Sequence, residues 1–256
     1  MRVFDSKKPL VGFDVDGILL DQRSVYDAHR EVARRLQGKY PDRGIAIPTD
    51  EALDFANRKF HSQLDVFGHH YSQVDPREAR EIWYSIPHSP KPIPGAPETV
   101  RKMSEDGYPF FIATSRPQLK TQERLEEAGF PHEFFLFMVS TDGEEIQKPD
   151  PRVFTQLVNG RIAAFNERTH SSLALRGGFY VGDTPDDYKA AELARRQTGG
   201  PLCLVFPGGY YTREELLLFP RDLQLSEEGI LGVPEEQVLN EIRELPYKLS
   251  AIALLG

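Results

Sequence analysis

The chain has 256 residues, of which 39% are hydrophobic and 27% charged, enough for one full core and a further subdomain. Its formal net charge of −8 gives no basic surface, so we expect neither nucleic acid nor a membrane as a partner. No apolar stretch has the length of a transmembrane helix, and the start of the chain lacks the apolar segment of a secretory signal. The single cysteine, Cys203, lies in an apolar run and excludes an internal disulfide. These features predict a cytoplasmic protein.

The first predicted element is an apolar strand at residues 10–15 that ends in two aspartates, Asp14 and Asp16, followed by Gly17. Gly17 allows a sharp turn, which can bring both carboxylates around one point. Two carboxylates at such a distance are unfavourable unless a cation, a substrate or a shared proton compensates them. An isolated D-x-D-G sequence is usually a strand followed by a turn, so its meaning depends on the rest of the chain.

Residues 21–91 are predicted to be mostly helical. The first helix ends near Gly38, and one stripe of it carries Val25, His29, Val32 and Leu36. The second begins after Thr49 and has its inward side chains at Leu53, Ala56, Phe60 and Leu64. The third begins at Asp75 and Pro76 and runs through Trp83. Because this block is too long for a loop between neighbouring strands, we interpret it as an inserted subdomain.

The rest of the chain alternates apolar strands with amphipathic helices. The further strands are predicted at 108–114, 134–139, 179–182 and 202–206. This order predicts an α/β fold with a doubly wound, Rossmann-like parallel sheet. The core domain then comprises residues 1–20 and 92–256, with the helical domain at 21–91 inserted into it. The polar segment 159–178 is interpreted as a solvated surface excursion, because it is longer than a simple link from helix to strand.

Polar side chains recur at three later positions. Thr114, Ser115 and Arg116 follow the second strand, and Lys148 is followed by Pro149. An acidic cluster follows the strand at 179–182, at Asp183, Asp186 and Asp187. Ligands of open α/β sheets bind beyond the carboxyl ends of the strands. We therefore expect these groups to meet Asp14 there.

This order of motifs (D-x-D-G, then Thr or Ser, then Lys-Pro, then G-D-x-x-x-D) resembles the four signature motifs of the haloacid dehalogenase-like superfamily. The resemblance extends from about residue 10 to residue 211. Two stretches, 94–100 and 181–191, resemble the phosphoglycolate-phosphatase-like branch. The resemblance implies that residues 21–91 form an α-helical cap of the type that closes over the active site in this superfamily.

The resemblance also implies a role for each motif residue. Asp14 matches the nucleophile that attacks phosphorus and forms an acyl phosphate. Asp16 matches the group that protonates the leaving oxygen and then deprotonates water, worth about 10²–10⁴-fold in rate. Thr114 donates a hydrogen bond to a phosphoryl oxygen, and Lys148 supplies a positive charge. The expected cofactor is Mg²⁺, with its predicted ligands at Asp14, Asp16, Asp183 and Asp187.

The substrate contacts are less closely defined by the motifs. Gly17, Ser115 and Arg116 are the candidates in the core domain. Arg116 departs from the branch, which often has lysine there, and is either an extra phosphate contact or an exposed arginine at a helix start. In the helical block, His69 and His70 either face the substrate or are ordinary surface histidines. The surrounding segment 59–71 also offers Lys59 and His61.

The leading hypothesis is a Mg²⁺-dependent phosphatase that hydrolyses a small phosphorylated metabolite through a phosphoaspartate intermediate. Asp16 argues against haloacid dehalogenation, which in this superfamily uses neither the second acid nor a metal. A phosphomutase shares the same motifs and stays open as an alternative. A non-catalytic phosphate-binding relative is a further alternative, although it should have lost a motif residue and none is missing. A signalling receiver domain is about half this length and has no cap insert.

Overall fold

The computed structural model describes residues 4–60, 63–87, 90–218 and 232–253. The chain divides into two compact units, one of Met1–Asp21 with Pro92–Gly256 and one of Gln22–Lys91. Each unit has a hydrophobic core of its own. Among the described residues, no helix is both long and apolar enough to cross a membrane.

The smaller unit consists of helices, which are α1 (Tyr26–Lys39), α2 (Asp50–Lys59), α3 (Gln63–His70) and α4 (Pro76–Ser85). The single helix predicted from Thr49 through Leu64 is wrong, because α2 and α3 are separate helices. Phe60 has an extended backbone that ends α2, and Leu64 belongs to α3. The core of the unit includes Phe67 and Tyr71, whose hydroxyl donates to the backbone carbonyl of His29 at 2.7 Å.

In the larger unit, the described residues form one parallel sheet of five strands in the order β3-β2-β1-β4-β5. The strands are β1 (Val11–Phe13), β2 (Phe110–Thr114), β3 (Phe135–Ser140), β4 (Phe179–Gly182) and β5 (Leu202–Val205). This architecture confirms the predicted α/β, Rossmann-like fold class. The order of strands reverses between β1 and β4, so the crevice at the carboxyl end of β1 is the topological switch point of the sheet.

Side chains of alternate strand residues fill two cores, one on each face of the sheet. Phe13 and Ile112 belong to one core, and Phe111 and Tyr180 belong to the other. Gly12 lies in the centre of β1, where a Cβ atom would come within 2.1 Å of the Phe111 ring. Only glycine fits this position, so the packing of the Phe111 ring against β1 depends on Gly12.

Helices cover both faces of the sheet, and they are α5 (Ala96–Glu105), α6 (Gln118–Glu127), α7 (Asn159–Thr169), α8 (Pro185–Thr198), α9 (Arg213–Leu218) and α10 (Leu245–Ala253). The interpretation of 159–178 as a surface excursion is wrong, because a π-helical segment, Val153–Val158, continues directly into α7. Ile162 and Phe165 are buried in the core against this segment. The polar residues of α7 hid its narrow apolar stripe in the sequence.

The two points where the chain leaves and re-enters the larger unit lie side by side. Leu20 and Pro92 form an isolated antiparallel bridge. The Ile93 amide donates to the Leu19 carbonyl at 2.9 Å. Both sides of this junction belong to the larger unit, so the junction is built without any residue of the helical unit.

Candidate active site

Asp14, Thr114 and Asp183 lie at the carboxyl ends of three adjacent strands, β1, β2 and β4. The Asp14 amide donates to the Val181 carbonyl at 2.9 Å, which continues the pairing of β1 with β4 by one residue. The sheet therefore fixes the backbone of these residues before any side chain contributes. All three side chains are buried.

Lys148 joins this group from the loop that follows β3. Its ammonium donates to Asp14 Oδ1 at 2.9 Å and to Asp187 Oδ1 at 2.6 Å. It also donates to the Tyr180 hydroxyl at 3.0 Å, so one buried cation serves two carboxylates and a phenol. Burial alone would lower the pKa of Lys148, but the charges of Asp14 and Asp187 outweigh it and raise that pKa well above the usual value. Lys148 is therefore charged at any working pH.

Asp187 is held by hydrogen bonds on both of its oxygens. Oδ1 accepts from Lys148 and, at 3.1 Å, from the Tyr180 hydroxyl. Oδ2 accepts from the Thr184 hydroxyl at 2.6 Å and from the amides of Thr184 and Asp183 at 3.1 and 3.3 Å. Thr184 in turn caps the start of α8 by accepting from the Asp187 amide. Asp187 thus fixes both the Lys148 ammonium and the start of α8.

The negative charge of the clustered carboxylates exceeds the positive charge of the one ammonium beside them. Asp14, Asp183 and Asp187 each place an oxygen within 4.8 Å of the others, with Lys148 as the ammonium between two of them. Burial, followed by the charges of Asp187 and Asp16, raises the pKa of Asp14 from 3.8 to about 7 despite Lys148. Burial, followed by the charges of Asp187 and Asp14, raises the pKa of Asp183 well above its usual value. A buried set of oxygen donors short of positive charge fits a hard divalent cation such as Mg²⁺.

The Asp16 carboxylate lies apart from this group and contacts two guanidinium groups. Arg116 Nε donates to Asp16 Oδ2 at 2.5 Å, and Arg124 lies at 3.5 Å from Asp16 Oδ1. Burial would raise the pKa of Asp16, but the charges of Arg116 and Arg124 outweigh it and hold that pKa below its usual value. The structure therefore brings together three of the four predicted metal ligands by their side chains, and Asp16 is paired elsewhere.

The remaining candidates of the core domain lie in two turns at the same edge of the sheet. Gly17 has a φ of 79°, a conformation that favours glycine, and its amide donates to the Leu20 carbonyl at 2.7 Å. Thr114 Oγ1 accepts from the Arg116 amide at 3.3 Å, which shapes the turn containing the half-buried Ser115. Both turns begin where a strand ends, as the spacing of the motifs predicts.

In the helical unit, the two histidines lie in different environments. His69 is exposed, with its ring 5.2 Å from that of Phe60 and 5.9 Å from that of Phe55. His70 is half-buried, and its Nε2 is buried with no hydrogen-bond partner among the described residues. Burial, with a smaller effect of His69, lowers the pKa of His70 to about 4, so the ring is uncharged at neutral pH. His61 lies outside the described residues.

Sequence reasoning missed Tyr180 and Arg124. Tyr180 lies in the middle of a buried strand, and its hydroxyl has two possible acceptors for its one proton, the Ala113 carbonyl at 3.0 Å and Asp187 Oδ1 at 3.1 Å. Arg124 belongs to α6, next to the buried Leu125. A charged residue on the buried face of a predicted helix is the signal that could have identified Arg124. The hydroxyl of Tyr180 had no such signal, because a tyrosine is ordinary in a β-strand.

The chain is similar to several known proteins. The chain is 28% identical over 162 residues to Protein SUPPRESSOR OF QUENCHING 1, chloroplastic, of Arabidopsis thaliana, a match covering 58% of the chain and 14% of that much longer protein. It is 24% identical over 202 residues to a phosphoglycolate phosphatase of Mesorhizobium japonicum, covering 73% of the chain and 79% of that enzyme. The crystal structure of CbbY from Rhodobacter sphaeroides in complex with phosphate shares the fold, with a TM-score of 0.65, 17% identity and coverage of 95% of this chain and 99% of that one.

A family model described as haloacid dehalogenase-like hydrolase matches residues 11–199, from the first strand to the end of α8. The matched residues include every motif residue of the site, and the resemblance read from the sequence is confirmed. The chain belongs to the haloacid dehalogenase-like hydrolases.

Proposed function

We propose that this protein is a Mg²⁺-dependent phosphatase that acts in the cytoplasm on a small phosphorylated metabolite through a phosphoaspartate intermediate. The observation that carries the proposal is the convergence of Asp14, Lys148 and Asp183 at the switch point of the sheet. This arrangement offers a carboxylate nucleophile, a fixed cation and an acidic cation site within one crevice. The phosphoglycolate phosphatase among the relatives supports the same class of reaction.

In the proposed reaction, Asp14 attacks the phosphorus of the ester and the bond from phosphorus to the alcohol oxygen breaks. Asp16, which the arginines keep ionised beforehand, takes up a proton from solvent and passes it to the leaving alcohol. Asp16 then takes a proton from the water that hydrolyses the phosphoaspartate. Lys148 and the Thr114 hydroxyl stabilise the charge on the phosphoryl oxygens, and the turns of Gly17 and Ser115 lie beside them. Phosphoryl transfer depends mainly on such positioning and charge compensation.

Asp14 and Asp183 are the residues that we assign to direct Mg²⁺ binding. Asp187 already accepts several hydrogen bonds, so we assign it an indirect role. It orients Lys148 and lies beside the proposed cation site without binding the cation directly. Asp16 was predicted as a ligand too, and its side chain is paired with arginines, so a contribution from it would come through its backbone. When bound, the cation neutralises charge on the phosphoryl oxygens and on the leaving and attacking groups.

The experiment that tests the proposal is an assay of phosphate release from a panel of sugar phosphates, nucleotides and small phosphate esters. We expect hydrolysis with Mg²⁺ and its loss after bound metal is stripped by a chelator, with recovery when Mg²⁺ is returned. Full activity of the stripped protein would overturn the metal assignment. Transfer of the phosphoryl group to a second hydroxyl of the substrate, in place of release, would indicate the phosphomutase alternative.

Binding of Mg²⁺ should stabilise the protein more at about pH 8 than at about pH 5.5. The raised pKa of Asp14 means that the metal-free folded state holds more protons than the unfolded state between about pH 4 and 7. The contribution of Asp14 to the free energy of unfolding of the metal-free protein therefore falls as pH rises through that window. Mg²⁺ must displace those protons at low pH, but not at high pH. Melting temperatures with and without Mg²⁺ at both pH values measure the difference, and equal shifts would contradict it.

We propose further that the helical unit is a cap that selects the ester. Its candidate substrate contacts are His70, whose Nε2 has no hydrogen-bond partner within the described part of the chain, and the exposed His69 beside Phe60. Lys59 lies above the same Phe60 ring. Replacing His69 and His70 together with alanine should change the relative kcat/KM values across the ester panel more than it changes hydrolysis of a small generic ester. A matched change at the exposed Arg34 of α1 is the control. An unchanged preference profile would place selection elsewhere in the unit.

A further inference from the structure

The pair of arginines on Asp16 is more than a neutral ion pair requires. Arg116 and Arg124 together bring two positive charges to one carboxylate. Arg116 supplies the short contact, 2.5 Å from Nε to Oδ2, whereas Arg124 lies at 3.5 Å. A carboxylate held this way is directed at the arginines. A contact of Asp16 with a substrate in place of an arginine requires that one of these two partners be exchanged.

Arg116 is the partner that is able to move. The Arg116 side chain is 24% exposed, whereas that of Arg124, on the buried face of α6, is 11% exposed. Its backbone is fixed independently, because Ser140 Oγ donates to the Arg116 carbonyl at 2.6 Å and the Arg116 amide donates to Thr114. The side chain can therefore change rotamer while the turn that carries it stays in place.

Arg124 is able to keep Asp16 paired if Arg116 leaves. Its Nε is buried and has no hydrogen-bond partner among the described residues. A guanidinium group binds a carboxylate best through two parallel N–H donors, so this Nε is a second donor in reserve for Asp16. With Arg124 alone the Asp16 pair is neutral, and no buried charge is left uncompensated.

The phosphoryl group of a substrate is the anion that would attract Arg116. On the side of Asp14, Lys148 is already shared by two carboxylates. A phosphate ester arriving there carries up to two further negative charges, and arginine binds phosphate oxygens with the same paired donors that it offers a carboxylate. Thr114, predicted to contact the phosphoryl group, is directly hydrogen-bonded to the Arg116 amide.

We propose that Arg116 is exchanged between two anions. In the substrate-free protein it holds Asp16, and a phosphate ester bound beside Asp14 draws it away, so that Asp16 is released towards the leaving oxygen only when the site is occupied. This inference rests on the proposed phosphatase function and adds to it a substrate-triggered positioning step. Arg116 is both the phosphate contact and the residue that positions Asp16.

Inorganic phosphate, with saturating Mg²⁺, is the probe, and its dissociation constant measured by calorimetry is the readout. Arg116→Met should weaken phosphate binding about tenfold, and Arg116→Lys, which keeps the charge but not the paired donors, should recover part of that loss. Asp16→Asn should tighten binding several-fold, because the fraction of molecules with Arg116 available rises. In the Arg116→Met background, the same Asp16→Asn change should have less than about a twofold effect.

Arg124→Met is the matched control, because Arg124 does not touch the phosphate. It should weaken phosphate binding about threefold, since Arg116 then becomes the only cation on Asp16, and Asp16→Asn should abolish that loss. In steady-state assays, Arg116→Met should raise KM, whereas Arg124→Met should also lower kcat because Arg116 is released less readily. A crystal structure with bound phosphate should show Arg116 Nε more than about 4 Å from Asp16 Oδ2.

Two results would overturn the exchange. The first is an equal tightening by Asp16→Asn with and without Arg116, which would be a general effect of removing a negative charge. The second is a phosphate complex in which the contact between Arg116 and Asp16 persists. These binding measurements need no turnover. A protein without phosphatase activity in which Asp16→Asn tightens phosphate binding only when Arg116 is present would therefore refute the phosphatase function alone. An active phosphatase without that pattern would refute the exchange alone.

Discussion

Replacing Asp14 with asparagine should abolish turnover, with a loss of about 10⁴-fold or more, and should remove the phosphoenzyme, which as an acyl phosphate survives acid quenching and is cleaved by hydroxylamine. The amide has almost the same shape as the carboxylate, yet it is a poor nucleophile. Asp16→Asn should slow turnover by about 10²–10⁴-fold through loss of the proton donor, while a phosphoenzyme still forms with substrates whose leaving group needs no proton. Steady-state assays and acid quenching with a labelled ester measure both effects.

The stability of the Asp14→Asn protein separates a chemical effect from a folding defect. Asp14 is a buried carboxylate whose pKa is raised to about 7, so removing its charge at about pH 8 should leave the metal-free melting temperature unchanged or higher. The increase in melting temperature caused by Mg²⁺ should shrink in the same variant, because one proposed ligand is lost. Equal activities of the Asp14→Asn and Asp16→Asn proteins would contradict the division of roles between the two residues.

Lys148→Ala should have the largest effect on the folded state of any single change in the site. It leaves the buried Asp14 and Asp187 carboxylates without their shared cation, at a cost of about 3–5 kcal/mol in the free energy of unfolding. The loss should be smaller at about pH 5 than at about pH 8, because the Asp14 carboxylate, whose pKa is raised to about 7, can protonate at the lower pH. Activity should fall as well, since the developing charge on the phosphoryl group loses a fixed cation. Denaturant unfolding at both pH values measures the first effect.

Tyr180→Phe is the matched control for Lys148→Ala. It removes a hydroxyl from the same network but keeps the contact of Lys148 with Asp14. We expect a loss of about 1–2 kcal/mol and less than about a tenfold decrease in kcat/KM. If Lys148→Ala retained wild-type kinetics, Arg116 or another base would be the cation that serves the phosphoryl group.

The sequence predicted the sheet well because its strands are short apolar runs that end in polar residues. The strand at 179–182 has the bounds that were predicted, and Asp14, Thr114 and Asp183 follow their strands as expected. Parallel pairing alone then carries these residues to one edge, so their meeting required no knowledge of side-chain packing. The helices were harder, because Phe60 and the stripe of Ile162 and Phe165 depend on tertiary contacts.

The partners of the site residues could not be predicted in the same way. The motif shared with the family assigns Asp16 a role, but it does not show that Arg116 and Arg124 bind its carboxylate. Arg124 is 108 residues away from Asp16 in the sequence, and only the packing of α6 brings them together. The spacing of residues in the sequence predicts which side chains share a face of one helix or strand. Contacts between residues of different elements depend on how those elements pack.

The junction of Leu20 with Pro92 makes the helical unit a replaceable module. The larger unit already joins the two chain ends through this bridge and through the contact of Ile93 with Leu19. A short turn in place of Gln22–Lys91 would therefore have two ends that are already adjacent, and it would have little loop entropy to overcome. The same property would let a helical block from a relative be grafted at this point, with one catalytic scaffold carrying many different selectivities.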